Sequence, residues 1–542
     1  MNKKLALLFA LIACIGVAVF FLWEKKQVAP SPAIKFGDDI QLTAEQYELK
    51  EINQSKVSKL NAVDTTYTYD VNSEKPVGTL TLTVRKVDNG DRFVFSQFYT
   101  SSEEGVYLPL QLTFADQTDF DFFKISEELV QEEHDRVFGK DYTTNVKGIY
   151  SFKGKKPYDL ILSQNYISHE LEETYSDGTS SVLRELVNED DFLEINKDNG
   201  NVTFNMKLRT TGPEQFSESW FLLSDDSLFP DKEEAQYYKN YSNRNFIHSP
   251  KWQTASGIYT KLPWSVEPGT KLGYGRNLVS QQGKVFAGRY QETPARFYYD
   301  MLVNSVNYLF DFKGELPIWK TEYTSTWLKR EYGITAPYID TRHNENIALF
   351  LSSAGNILAN KEIADSDLLY ADFLSSQKDI GNTLSTKNGY YILDYYSENQ
   401  SKKTHVSLNH ALGEMNFLME SYEKNKIDSY LETALRIKRA LEDTGEQWIN
   451  DSNGDLWYQI NGDYSFEGQD YDTLTLEDLI NSLQNFNTLR ISYSQEIFDA
   501  LIKSKIEYIK EQGIQLHQLV YDDLLTLGFG PSIQGYEHVY NY

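Results

Sequence analysis

Cysteine is almost absent from this chain of 542 residues, which contains only Cys14. A single thiol excludes a disulfide within the chain, and the rest of the sequence has no thiolate nucleophile and no cysteine-based zinc site. Histidine is also scarce, with eight residues. His405 and His410 are five positions apart, off the i, i+4 spacing of a helical zinc pair, and no His-Glu-x-x-His run exists. The sequence therefore predicts no metal site.

Basic residues are in deficit, with 52 Lys and Arg against 79 Asp and Glu and a formal net charge of −27. Nucleic-acid binding needs a basic surface that neutralises phosphates, so this class of partner is excluded. The chain also lacks a Gly-x-Ser-x-Gly nucleophile turn and a phosphate-binding glycine loop. Aromatic residues, in contrast, make up 14% of the chain and include 38 tyrosines, which indicates a folded globular protein.

One long apolar run is present, from Leu5 to Trp23 after the basic start MNKK. It is long enough to span a bilayer's hydrocarbon core as a helix, and no small-residue cleavage site follows it. We therefore expect a single-pass signal anchor in the cell membrane with the bulk of the chain outside the cytoplasm, on a bacterial cell surface. The alternative is a lipoprotein signal, because LIAC ending at Cys14 resembles a lipobox, but the apolar run continues beyond that cysteine.

The hydrophobic pattern changes its period along the chain. GTLTLTVRKV and RFVFSQFYT alternate apolar and polar residues around the turn Asn89-Gly90, and a second such hairpin pattern has Asn199-Gly200 at its turn. We predict an α+β multidomain chain divided into a cytoplasmic tail (1–4), a transmembrane helix (5–23), a linker (24–45), an antiparallel β domain that is a barrel or sandwich (46–230), a loop-rich connection (231–289) and a helical (α/α) toroid (290–542).

The helical prediction rests on apolar residues at i, i+3, i+4 and i+7 spacing. The clearest set comprises Leu408, Ala411, Leu412, Met415, Leu418, Met419 and Tyr422. Three similar units of two helices follow one another at a spacing longer than that of typical helical repeats, with strand-like connections between them. Such hairpins predict a toroid of about four hairpins, with its long loops gathered at one end.

These connections are rich in tyrosines and carboxylates. They read GYYILDYYSENQSKKTH and DLWYQINGDYSFEGQDYD, and a third segment, APYIDTRHNENIALF, precedes a helix. Aromatic rings stack on sugar faces while carboxylates and asparagines bind hydroxyl groups, so the loops predict a sugar cleft. The alternative is that these aromatic side chains only pack the end of the toroid.

The second and third helical units resemble the C-terminal domain of the D-glucuronyl C5-epimerases. The segment THVSLNHALGEMNFLMESYEKNKIDSYLETALRIKRALEDTG is similar to that family's helical hairpin, and GDLWYQI lies where the family has Gly-x-Ile-Tyr-Asp-Leu-Arg. QDYDTLTLEDLINSLQNF is similar to the family's Asp-Tyr-His-Thr stretch and the helix after it, and YIDTRHNENIALFLSSAG lies where the first inward helix begins. The resemblance covers about Tyr338 to Gly513.

The resemblance implies a hexuronate C5-epimerase that acts on a uronate-containing polysaccharide without a cofactor. Such an enzyme removes the C5 proton next to a carboxylate and returns a proton on the opposite face, which needs an acid and a base. Matching the motifs implies Tyr458, Tyr471 and Tyr396 as catalytic residues. The implied substrate-binding residues are Asp394, Glu398, Asn461, Arg342, Tyr338 and Asn409.

Two features depart from the family. Asn461 replaces its arginine, and the net charge gives no general attraction for a polyanion, although local basic residues occur at Lys329, Arg330, Arg342, Lys402 and Lys403. The alternatives are therefore a uronate lyase, a non-catalytic cell-surface protein that binds glycans, and a glycosidase that uses two of Asp394, Asp470 and Asp472. The predicted partners are the polysaccharide and, through the N-terminal helix, the membrane; a homodimer is left open.

Overall fold

The computed structural model describes residues 34–72, 76–126, 130–133, 140–143, 145–154, 156–245 and 252–540. It has a large β-sheet N-terminal region and a helical C-terminal region. The strands of the first region are β1 (Ile34–Lys35), β2 (Ile40–Ala44), β3 (Glu48–Lys59), β4 (Ala62–Asn72), β5 (Pro76–Val87), β6 (Arg92–Thr100), β7 (Tyr107–Phe114), β8 (Phe120–Lys124), β9 (Val130–Glu133), β10 (Lys140–Thr143), β11 (Gly148–Lys153), β12 (Pro157–Leu162), β13 (Asn165–Thr174), β14 (Ser180–Asp190), β15 (Leu193–Asp198), β16 (Asn201–Arg209) and β17 (Gln215–Ser224).

Most of the later strands are short. They are β18 (Trp252–Thr254), β19 (Gly257–Lys261), β20 (Val266–Glu267), β21 (Gly273–Gly275), β22 (Thr324–Ser325), β23 (Ile339–Asp340), β24 (Thr383–Ser385), β25 (Tyr390–Ile392), β26 (Tyr395–Tyr396), β27 (Val406–Ser407), β28 (Trp457–Ile460), β29 (Phe466–Gln469), β30 (Leu516–His517) and β31 (Val539–Tyr540). The helices are α1 (Lys232–Asn245), α2 (Lys284–Glu292), α3 (Arg296–Lys313), α4 (Thr326–Tyr332), α5 (Thr341–Ile357), α6 (Lys361–Ala364), α7 (Leu368–Ser376), α8 (Leu408–Asn425), α9 (Asp428–Thr444), α10 (Leu474–Leu489), α11 (Gln495–Gln512), α12 (Gln518–Thr526) and α13 (Gly530–Ile533).

Two large antiparallel sheets form most of the described N-terminal region, beside the small pair of β9 and β10. The smaller has the order β1-β2-β7-β16-β15, and the larger follows the path β18-β19-β21-β14-β13-β17-β6-β5-β4-β3, with β12 also paired to β17. Side chains that alternate along the strands form the core between the two sheets: Leu112 and Phe204 from the smaller sheet pack with Val94 and Leu223 from the larger. The alternating pattern of the sequence thus corresponds to a two-layer β structure.

The opposite face of the large sheet packs against the helices. Phe93, Phe95 and Leu222 belong to the same hydrophobic core as Leu302 and Val306 of α3. Because successive side chains of a strand point to opposite faces, β6 supplies Val94 to one core and its neighbours Phe93 and Phe95 to the other. The helical region and the large sheet therefore share one continuous core.

The helical hairpins present the starts of their inner helices at one end. Helix α8 packs against α5, α9 and α10, and the two-residue strands β23, β27 and β30 lie directly before α5, α8 and α12. Strand β23 pairs with β26, and β27 pairs with β28, which pairs in turn with β29. The tyrosine-rich connections are thus hydrogen-bonded to the residues that directly precede α5 and α8.

The prediction of a membrane-spanning fold and of an anchored location is corrected by the structure. Within the described ranges, no helix is both long and apolar enough to cross a bilayer. The 18-residue α3, for example, contains Arg296, Asp300, Asp311 and Lys313, whose burial in lipid would be costly. The predicted span from Leu5 to Trp23, with the predicted tail and Cys14, lies outside the described residues.

Two segments predicted as connections contain regular structure. Strands β1 and β2 lie within the predicted linker 24–45, and β2 pairs with β7 of the smaller sheet. The predicted loop-rich connection 231–289 contains α1 and the start of α2, together with β18, β19 and β21 at the end of the large sheet. Short, polar elements of this kind carry little hydrophobic periodicity, so sequence patterns detect them poorly.

Candidate active site

A fully buried carboxylate, Asp394, belongs to the first of the tyrosine-rich connections. It accepts hydrogen bonds from the Ser407 amide at 2.8 Å and from the Ser407 hydroxyl. Its Oδ2 lies 3.2 Å from Nε2 of His405, and its Oδ1 lies 3.7 Å from Nδ1 of His410. Burial acts to raise the pKa of Asp394, but the charges of His410 and His405 and these hydrogen bonds lower it below its usual value. Asp394 is therefore a stable carboxylate.

His405 connects this carboxylate to a phenol. Its Nδ1 lies 2.9 Å from the hydroxyl of Tyr332, the last residue of α4, and its side chain has no exposed surface. Burial raises the pKa of Tyr332 to about 12, so its hydroxyl stays protonated at neutral pH. The partly exposed Tyr332 is thus hydrogen-bonded to His405, whose Nε2 lies 3.2 Å from Asp394 without a hydrogen bond of normal geometry to the described residues.

Tyr458 and Tyr471 lie near Asp394 and His405. Their ring centroids are 5.8 Å apart with the planes at 72°, and the ring of Tyr458 lies 6.1 Å from that of His405. Burial and the charge of Asp394 raise the pKa of Tyr458, while the Ser407 hydroxyl acts in the opposite direction. Burial also raises the pKa of Tyr471, which is 49% exposed and interacts with the Tyr458 hydroxyl. Both side chains are therefore phenols that can donate a proton.

A buried lysine holds the hairpin that carries these two tyrosines. Lys505 of α11 is fully buried, and its Nζ lies 2.6 Å from Asp455 and 2.8 Å from Asp470. Asp455 lies two residues before β28, which carries Tyr458, and Asp470 lies directly after β29 and next to Tyr471. One cation thus fixes both ends of the β28–β29 hairpin, which positions the two phenols.

Arg342 is already paired with acidic side chains inside the protein. Its guanidinium donates to Glu345 at 2.9 and 3.0 Å and to Asp478 at 3.2 and 3.1 Å, and also to the carbonyl of Asn409. Burial raises the pKa of Glu345 to about 7 and that of Asp478 to about 8, although Arg342 acts to lower both. Two carboxylates already surround this arginine, so it joins α5 to α10 within the core.

The other predicted residues are dispersed. Tyr338 is buried, with its ring 6.2 Å from that of Tyr395, and Tyr396 is a partly buried residue of β26 that pairs with Ile339. Asn409 is buried in the first turn of α8. Asn461 is in the hairpin turn, where it donates to Glu467 at 2.9 Å, and Glu398 is exposed on a loop.

The structure therefore brings Asp394, Tyr458 and Tyr471 together, and it adds Tyr332, His405 and Ser407 to the cluster. Sequence reasoning missed Tyr332, because it belongs to a short helix outside the resemblance and lies 73 positions from His405. The pair His405 and Ser407 next to the start of α8 was the available signal, since these polar residues directly precede an apolar helix.

No protein-family model matches the sequence, and no curated protein matches it. Among solved structures, the GH76 α-mannanase of Bacteroides thetaiotaomicron is 17% identical with a TM-score of 0.31; the alignment covers 44% of this chain and 60% of that one. This chain thus spans less than two thirds of that enzyme.

Two further solved structures are similar in part. Cellobiose 2-epimerase from Bacillus thermoamylovorans B4167 is 12% identical over 52% of this chain and 71% of that one, with a TM-score of 0.38. A family 76 glycoside hydrolase from a bovine Bacteroides thetaiotaomicron strain is 9% identical over 79% and 77% of the two chains, also with a TM-score of 0.38. Neither these two nor the α-mannanase is a D-glucuronyl C5-epimerase, and similarity at this level identifies neither a family nor a reaction for this chain.

Proposed function

We propose that this chain is a carbohydrate-modifying enzyme that epimerises C5 of a hexuronate within a polysaccharide, with Tyr458 and Tyr471 as acid/base residues. The observation that supports it is the pair of adjacent phenols beside a buried carboxylate and a histidine. Epimerisation next to a carboxylate requires proton transfer without hydrolysis, and a neutral phenol has a hydroxyl proton that it can donate as the acid. The motif resemblance over Tyr338 to Gly513 points to the same chemistry.

The substrate's carboxylate needs a cation other than Arg342, which is already paired. The backbone amides of Ser401 and Lys402 donate to the carbonyl of Tyr332 at 3.0 and 3.3 Å. The exposed Lys402 therefore lies at the border of the tyrosine cluster, whereas the Nζ of its neighbour Lys403 donates to the carbonyl of Thr383. We place the hexuronate carboxylate near Lys402, where a local positive charge opposes the acidic surroundings.

The arrangement does not favour a glycosidase. Such an enzyme needs two carboxyl groups that reach the glycosidic bond from opposite sides. Asp394 has no exposed surface, and Asp470 is 5% exposed and paired with Lys505. Of the three aspartates considered from the sequence, only Asp472 is exposed. Hydrolysis would therefore require the cluster to open.

Hydrogen exchange at C5 tests the proposal directly. The full chain is incubated in D2O with polymers that contain glucuronate, mannuronate or guluronate, and proton NMR follows the C5–H signal. We expect deuterium at C5 without chain cleavage, and loss of exchange by at least about 100-fold in Tyr458→Phe.

The matched control is Tyr464→Phe, in the same hairpin, whose hydroxyl bonds instead to the carbonyl of Ser385. This variant should exchange at the wild-type rate. Cleavage of the polymer with formation of an ultraviolet-absorbing unsaturated end would show that the chain is a lyase and not an epimerase. If no polymer exchanges its C5 proton although polymers bind saturably, the proposed enzyme activity is refuted. The chain would then be a glycan-binding protein.

A further inference from the structure

We propose that a groove in the β region is a second polysaccharide-binding site, which holds an acidic sugar chain by its carboxylates and its ring faces. The groove has a volume of about 510 Å³ and lies where β7 begins and β16 ends; its lining includes Tyr107, Phe192, Lys207 and Arg209. None of these residues belongs to the tyrosine cluster. The class of polymer, a uronate-containing chain, rests on the proposed function, whereas binding in the groove does not require epimerisation.

Strand β16 places both cations of the groove on the outer face of the smaller sheet. Phe204 and Leu208 belong to the core between the two sheets, and successive side chains of a strand point to opposite faces. Lys207 and Arg209 therefore lie on the face that points away from this core. In the register of β7 and β16, Arg209 is directly opposite Tyr107.

Lys207 is a cation that lies against aromatic rings. Its Nζ is 3.6 Å from the ring centroid of Phe192 and 5.5 Å from that of Tyr107. Within the described ranges it forms no ion pair, in contrast to the buried Arg342 and Lys505. The rings attract an ammonium group without neutralising it. Lys207 therefore keeps its positive charge for a ligand.

Arg209 is the second cation, and its pairing within the protein is weak. Its side chain is 54% exposed, and its Nη1 lies 3.7 Å from Oδ2 of Asp190. An exposed contact of this length is screened by water, so the guanidinium retains donors for a carboxylate. Asp190 also accepts a hydrogen bond from the amide of Phe192 at 3.0 Å, which holds the loop that presents this ring.

The backbone beside the groove is held by hydrogen bonds across strands. The amide of Arg209 donates to Oδ1 of Asn165 at 3.0 Å. The amide of Thr210 donates to the carbonyl of Val106 at 2.7 Å, and the amide of Val106 donates to the hydroxyl of Thr210 at 3.2 Å. The groove is thus formed before a ligand arrives, which lowers the entropy lost on binding.

This combination of side chains fits an acidic sugar chain. Tyr107 and Phe192 are both exposed, and such rings pack against the apolar faces of sugar rings, while the adjacent cations bind carboxylates. The acidic Glu194 of β15 lies further along the sheet, opposite Asn205, so the basic part of this surface is short. A nucleic acid would need a longer series of phosphate contacts.

A chain bound in the groove stays near the enzyme between encounters with the active site. Attachment at one site raises the effective concentration of the same chain at another site. The groove should therefore lower KM for long polymers without changing kcat. An oligosaccharide too short to occupy both sites should gain nothing from it.

Affinity electrophoresis tests the binding without turnover. The wild type and the double variant Lys207→Gln/Arg209→Gln migrate through native gels that contain a polymer of glucuronate, mannuronate or guluronate, and each mobility is divided by that in a polymer-free gel. We expect a uronate polymer to retard the wild type, with a Kd that rises at least about 10-fold in the double variant. Phe192→Ala should raise the Kd by about 5-fold, and neutral dextran should retard none of the proteins.

The matched control is Lys197→Gln, a lysine of β15 outside the groove. Its Nζ also lies over an aromatic ring, 4.5 Å from the centroid of Phe120, but it is paired with Asp119. This variant should keep the wild-type Kd, and unchanged thermal unfolding of each variant shows that the fold is retained. Equal retardation of the wild type and the double variant, or retardation by dextran as strong as by uronate polymers, would overturn the inference. A wild type that no polymer retards would overturn it as well.

Kinetics separate this inference from the proposed function. In the double variant, KM for the polymer should rise about 10-fold with kcat unchanged, and KM for a uronate tetrasaccharide should stay at the wild-type value. An equal rise of both KM values would assign the two cations to the active site and overturn a separate groove. C5 exchange in the wild type without a difference in Kd would refute the groove and keep the epimerase. The difference in Kd without any C5 exchange would refute the epimerase and keep the groove.

Discussion

Glu414 is a carboxylic acid enclosed in the helical core. It lies on α8 with no exposed surface, and neither of its oxygens has a hydrogen bond of normal geometry to the described residues. Burial raises its pKa well above the usual value, and the charge of Asp394 adds to the shift, while Thr341 opposes it. Folding therefore favours the neutral form of this side chain, and a glutamine reproduces its size and its polar groups.

We expect Glu414→Gln to change the free energy of unfolding by less than about 1 kcal/mol, and Glu414→Ala to lower it by about 2–4 kcal/mol through the cavity it leaves. The folded acid keeps a proton that the unfolded chain releases, so wild-type stability should fall as the pH rises above the ordinary pKa of a glutamate, and it should fall less in the glutamine variant. Urea unfolding followed by tryptophan fluorescence measures both effects. Equal losses in the two variants would contradict a neutral Glu414.

Individual site residues were predictable only where sequence neighbours revealed them. Tyr458 and Tyr471 stand in a short segment crowded with aromatic and acidic residues, and their proximity follows from one hairpin. Arg342, in contrast, meets Asp478 across 136 positions. No local pattern shows such a partner, so a free cation could not be distinguished from a buried, paired one. Likewise, no local pattern shows that Tyr332 contacts His405, which lies far from it in the sequence.

At the scale of the structural element, Lys505 determines whether the β28–β29 hairpin stays in place. Lys505→Met leaves Asp455 and Asp470 buried without their cation, which should lower the free energy of unfolding by about 3–5 kcal/mol. Adding Asp455→Asn and Asp470→Asn should recover part of that loss. Lys503→Met, two residues away on the exposed side of α11, should cost less than about 0.5 kcal/mol. Urea denaturation compares the four proteins, and similar losses for Lys505→Met and Lys503→Met would refute the clamp.

At the scale of the whole molecule, the change of hydrophobic period along the sequence predicted a β region followed by a helical region. Alternation around Asn89-Gly90 corresponds to β5 and β6, and the apolar face from Leu408 to Tyr422 corresponds to α8. The sequence pattern could not predict the order of the strands or the contact of the large sheet with α3, because pairing between distant segments has no local signal. The β region and the helical region share one hydrophobic core, a contact that no local pattern in the sequence shows.

This shared core has a buried polar contact that tests its cooperativity. Arg85 of β5 has no exposed surface; it donates twice to Asp64 at 2.8 Å, and to Asn304 of α3 at 3.1 Å. Arg85→Met leaves Asp64 buried and unpaired, which should cost about 3–5 kcal/mol, and Asp64→Asn added to it should restore part of the loss.

Because the sheet and α3 belong to one core, their amides should lose protection together. Hydrogen exchange with mass spectrometry follows peptides from β5, β6, α3 and α8 in the wild type and in Arg85→Met. We expect the variant to accelerate exchange in all four by a similar factor, since global unfolding then limits each of them. Faster exchange in β5 and β6 alone would mean that the sheet opens while the helices stay folded, and the Arg85 contact would then stabilise one region rather than join the two.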